Sequence, residues 1–140
     1  MEYDLHSYVK IVHGIPPAAH AANTNGAAVD SYGYESLEWV GHVGVAFGGG
    51  GFDITIEQSP DDGSGSATGV WTAVPAAETI GTLPTVAIAD ANMVVRVGSI
   101  GKERHQRVVL TETGTISAGV IGVTAVLSNP RSIPVPDQST

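Results

Sequence analysis

Five histidines, two adjacent aspartates and two tryptophans are the side chains of this 140-residue chain with the most chemical potential. His6, His13 and His20 recur every seven positions, and His42 and His105 stand alone. Along an extended strand a step of seven sends successive side chains to opposite faces. A compact zinc set needs closely spaced ligands and commonly thiolates; the chain has no cysteine, and its histidines show no i, i+2 or i, i+4 pair. Scattered surface histidines are therefore expected, with no metal and no other cofactor. Asp61-Asp62-Gly63, joined by Asp53 or Glu57, offers the hard oxygens that calcium prefers. The alternating Asp ladder and closing Glu of a dedicated calcium loop are absent. Aspartate ahead of glycine makes a turn through its own side chain, which explains the run without an ion.

Nucleophilic catalysis needs a serine or threonine beside a histidine and a carboxylate. No serine here sits in a Gly-x-Ser-x-Gly elbow. A carboxylate pair of the glycosidase kind is poorly served by Glu38 and Glu57, which fall at strand positions expected to face water. No enzymatic activity is expected. Trp39 lies at a core position. Trp71 follows an acidic, glycine-rich stretch and reads either as a plug at one end of a sandwich or as a platform for a sugar ring, the plug being the better account.

The elements that would position these residues are strands. Glycine (18 residues) and proline (8) punctuate short apolar runs, which is how an all-β sandwich or barrel reads. In 52–59, Phe52, Ile54 and Ile56 alternate with Asp53, Thr55 and Glu57, the period of a sheet with one wet face. In 35–45, Leu37, Trp39, Val43 and Val45 share one parity against Glu38 and His42. Further strands are expected over 8–15, 26–30, 70–74, 93–100, 107–112 and 118–127, with Val95 and Val97 pointing inward. The 118–127 segment is apolar at nearly every position, which predicts cover on both of its faces. Only 75–83 suggests a helical turn. Residues 18–25 and 61–69 read as polar loops, the second flexible. The glycines 48–51 make a hairpin loop rather than a phosphate cradle, because neither a helix nor a Lys-Ser/Thr pair follows. The fold class predicted is an all-β, two-layer, jelly-roll-like sandwich. It forms one domain over 1–127, followed by an extended arm over 128–140 that carries Pro130, Pro134 and Pro136.

Charge narrows the partners. The chain carries 14 acidic and 6 basic residues, a formal net charge of −8, which disfavours nucleic acid. Arg96, Lys102, Arg104 and Arg107 crowd into a short stretch, and such asymmetry suits docking onto an acidic neighbour. Charged residues are only 14% of the chain, so surface can be desolvated cheaply. The first residues lack a basic region followed by an apolar stretch, so no signal peptide is expected. The longest apolar run is too short to cross a bilayer. Synthesis in a cytoplasm and no membrane partner follow as expectations.

Three stretches carry a resemblance: VDSYGYESLEWVGHVGV, then FDITIEQSPDDGSGSATGVWTAV, then VVRVGSIGKERHQRVVLTETGTISAGVIGVTAVLSNPRSIP. Their layout resembles that of small tailed-phage virion proteins encoded among the head genes of siphophages and prophages. Those proteins often place an aromatic residue between the arginines of the basic segment, where this chain has His105-Gln106. The resemblance implies a structural virion protein, a capsid decoration or cement protein that binds the outside of the shell and stabilises contacts between capsomers. It implies the major capsid protein as partner, a homo-oligomer with a trimer favoured, and a place on the capsid exterior after synthesis in the host cytoplasm. Under that reading Lys102, Arg104 and Arg107 are expected as charge partners, and Ile133 and Val135 as apolar pegs on the arm. The alternatives are a carbohydrate-binding module using Trp71, and a head-spike base or tail component.

Overall fold

The computed structural model describes residues 4–45 and 48–135. Within them the all-β, two-sheet expectation is met. The strands are β1 (Val9–His20), β2 (Thr24–Asn25), β3 (Val29–Asp30), β4 (Tyr34–Val43), β5 (Gly51–Ser59) and β6 (Thr72–Ala73). They continue with β7 (Thr79–Ile80), β8 (Thr85–Ala87), β9 (Val94–Ser99), β10 (His105–Thr113) and β11 (Gly119–Pro130). The helical turn expected over 75–83 is a single 3-10 turn at Ala76–Glu78.

One sheet has five strands in the order β1-β11-β4-β9-β7. The other runs β2-β10-β5-β6, with β3 also on β10 and β8 also on β5. All pairings are antiparallel. The first and last long strands are neighbours, and the chain changes sheet at every connection except those from β2 to β3 and from β5 to β6.

The period of two builds the core. Leu37, Trp39 and Val43 on β4 face Phe52, Ile54 and Ile56 on β5, all nearly inaccessible. Val108 and Leu110 on β10 and Ile121, Val123, Ala125 and Leu127 on β11 complete the interior. Each such large side chain contributes roughly 1.5–3 kcal/mol by leaving water. Trp39 is the largest buried side chain, and Gly14 makes room for it. A methyl group at Gly14 would lie 2.6 Å from the Trp39 ring. Val45 shares the parity of Trp39 but is 51% exposed, because β4 ends at Val43.

Two expectations about the last strand are corrected. It continues to Pro130, past the expected boundary at 127. It is also not covered on both faces: Ile121, Val123, Ala125 and Leu127 are buried, but Thr124 and Val126 between them are half-exposed and Val120 is exposed. Nor does the arm leave the body at 128. The Arg131 N–H donates to the Gly33 carbonyl, and the Val135 N–H donates to that of Ser7. Residues 136–140 of the expected arm lie outside the described residues.

Candidate functional site

The two outer faces of the sandwich differ in kind. On the six-stranded sheet, β10 and β5 pair in a register that sets His105 opposite Ser59 and Arg107 opposite Glu57. These positions alternate with the inward Gln106, Val108 and Leu110, so they point outward. The 61–69 stretch, expected to be flexible, folds back over them. Asp62 donates its N–H to the Ser66 carbonyl, and Thr68 its N–H to that of Pro60. Asp61 and Asp62 accept from the backbone N–H groups of Gly63 and Ser64, the turn chemistry expected for Asp before Gly. The Ser59 and Thr68 hydroxyls meet at 3.1 Å.

Charge fastens this loop. The His105 Nε2–H donates to Asp61 Oδ1 at 3.0 Å. The Arg104 guanidinium grips both oxygens of Asp30, at 2.8 and 2.7 Å, and reaches Asp61 at 3.2 Å. Tyr32 lies against Arg104, the guanidinium carbon 4.7 Å from its ring centre. Hydrogen bonds from Arg104 hold the Asp30 carboxyl below the ordinary carboxylate range. The His105 hydrogen bond, helped by the Gly63 N–H and by Arg104, does the same for Asp61. Asp30 and Asp61 in turn push the Arg104 guanidinium upward. Next along the strand, Arg107 pairs with Glu57 at 2.7 Å and stacks on Trp71 at 4.3 Å.

This arrangement corrects several expectations. His105 is not a surface histidine; it is 3% exposed. Arg104 and Arg107 do not stand ready for an acidic partner, since both are neutralised within the fold. Lys102 stays exposed but reaches Glu78 at 3.0 Å, and Arg96 reaches Glu38 at 3.6 Å. Trp71 is no end plug; it roofs Arg107 on the outer face. Val135 is only 6% exposed and cannot serve as a peg, whereas Ile133 is 54% exposed. Among the described residues no group of three or more histidine or acidic side chains converges to hold a metal ion.

The outer face of the five-stranded sheet is bare by contrast. Register places Ile11, Val126, Glu38, Gly98 and Ile80 in one row across β1, β11, β4, β9 and β7. His13, Thr124, Val40 and Arg96 form the next row. Gly122, His42 and Val94 follow. Ile11, Val94 and Ile80 are 53%, 60% and 57% exposed. Arg96–Glu38 is the ion pair on these rows among the described residues. The Pro16-Pro17 bend closes one corner, its Pro17 passing so near Gly122 that a Cβ there would lie 2.8 Å away.

Sequence reasoning missed Asp30, Tyr32 and two inward amides, Gln58 and Gln106. The amides had a signal: each extends the parity of a hydrophobic row, Phe52-Ile54-Ile56 and Val108-Leu110, and a polar side chain at a core position asks for a partner. Asp30 and Tyr32 had none, since their partner Arg104 is more than seventy positions away. Comparison with protein-family models, with curated proteins and with solved structures found no match to this chain.

Proposed function

We propose that the chain is a structural virion protein that docks on the outside of a phage capsid and braces contacts between capsomers. Docking is through the outer face of the five-stranded sheet. The resemblance of its sequence to small siphophage head-gene products supports the setting. The observation that carries the docking face is the asymmetry of the two outer surfaces: one is roofed by a pinned loop and studded with satisfied ion pairs, the other presents Ile11, Val94, Ile80 and Val40. A face with few charges to desolvate suits the core of a protein interface.

The wiring agrees with a rigid bracing role. Neighbouring first and last strands, with a chain that alternates between the sheets, support the jelly-roll reading, an architecture common in capsid and lectin domains. Fold alone does not assign function. Several copies, a trimer by preference, would multiply one modest contact into firm attachment. At Trp71 the glycan-platform alternative would have a single ring face to use, since Arg107 occupies the other.

The test is co-sedimentation of the purified protein with phage heads that lack it. Saturable binding at a copy number in fixed proportion to the major shell protein is expected. Failure to bind intact heads, or a few copies confined to a vertex or the tail, would reject the reading.

A further inference from the structure

We propose that a polar notch at the end of the sandwich, between the β3–β4 turn and the β9–β10 connection, binds one neutral sugar ring. This does not rest on the docking reading, since none of the residues lining the notch belongs to the rows placed on the bare face.

The notch has a volume of about 110 Å³, and Gln106, Ser36, Ser99, Gly101 and Glu35 are among its lining residues. Gln106 is 2% exposed. Its Oε1 has no hydrogen-bond partner, although its Nε2 donates to the Gly101 carbonyl at 3.5 Å. A buried acceptor left unmet costs about 1–3 kcal/mol, so the site is organised to receive a donor. Gly101 keeps the notch open: a Cβ there would lie 2.7 Å from Gln58 Oε1 and 3.0 Å from Gln106 Nε2.

Its remaining groups define the donor. The Ser36 hydroxyl oxygen accepts from Asn129 Nδ2, and that of Ser99 accepts from the Gly101 N–H, so each hydroxyl retains a proton to give. Buried Gln106 and Ser99 thus contribute an acceptor and a donor to one lining, as adjacent sugar hydroxyls require, while Ser36 shares the outward parity of Glu38. A groove of about 290 Å³ shares Ser31, Tyr34 and Gly101 with the notch and leads to Tyr32. That ring is 69% exposed, and Arg104 takes only one of its faces. An anion is poorly matched, because each cation lining the groove is paired within the fold: Arg104 with Asp30 and Asp61, Lys102 with Glu78, and Arg131 with Glu35. An apolar ligand is poorly matched by a lining of hydroxyls and amides.

The experiment is a titration of the ¹⁵N-labelled protein with the methyl glycosides of glucose, galactose, mannose and N-acetylglucosamine. For at least one of them, shifts are expected at Ser36, Ser99, Gly101 and the Gln106 side-chain amide. Gln106→Met, which keeps the volume and removes the acceptor, should weaken binding roughly tenfold or more. Tyr32→Ala, an exposed change that leaves the notch intact, should weaken it as well and serves if Gln106→Met does not fold. The proposal is overturned if none of the sugars shifts these signals, which would mean that the notch holds water only. Shifts centred on the Trp71 indole, or binding unchanged in both variants, would overturn it too.

Discussion

Asp30 and Asp61 give up protons more readily in the folded chain than in the unfolded one, because Arg104 and His105 stabilise their charged forms. Groups with lowered folded values stabilise the fold fully above the unfolded carboxylate range, near pH 4, and lose that contribution as pH falls through their folded values. The melting temperature should therefore fall on acidification below about pH 4. Asp30→Asn should be less stable than the parent at pH 7, and the gap between them should narrow towards pH 3. A gap that widened in acid would contradict this account of the latch. The two tryptophans make a second comparison. Trp39→Ala should cost about 3–5 kcal/mol by emptying the core. Trp71→Ala, which removes a stacking contact on a surface, should cost about 0.5–2 kcal/mol; urea unfolding separates the two. Trp39 was legible because its neighbours alternate around it. Trp71 was not, since nothing in local sequence shows that Arg107, thirty-six positions later, lies against it.

At the scale of the elements, alternation located β4, β5 and β9 and the side each turns inward. Phe52, Ile54 and Ile56 needed no other information. Connections were harder. Glycine and serine in 61–69 suggest freedom, yet Asp61 and Thr68 tie that loop to His105 and Ser59 across the chain. The two-residue strands β2, β3, β6 and β7 have too few residues to show a period. The apolar run of β11 was read as covered on both sides, when half of it belongs to an open face; composition cannot tell a buried face from an exposed one. Packing between elements is tightest at Gly14, where β1 passes over Trp39. Gly14→Ala should destabilise by about 1–3 kcal/mol through overpacking, read from the urea midpoint. A neutral effect would mean that β1 and β4 are not packed as closely as described.

For the whole molecule, a net charge of −8 makes like copies repel, and close approach is easiest where charge is sparse. The five-stranded outer face is such a region, and the proposed bracing role would set the shell against it. Val94→Glu combined with Ile80→Glu should reduce attachment to heads at least tenfold, while exposed changes of this kind shift stability by about 0.5 kcal/mol or less. Thr111→Lys, exposed on the opposite sheet, should leave attachment unchanged. The most direct measurement is cryo-electron microscopy of heads carrying the bound protein, at a resolution that fits the sandwich unambiguously. Many copies spread over the shell, each with the Ile11–Val126–Ile80 row against the major shell protein and the Trp71 loop facing solvent, is the expected result. Copies attached through the Trp71 side, or density found only at the tail, would contradict the account.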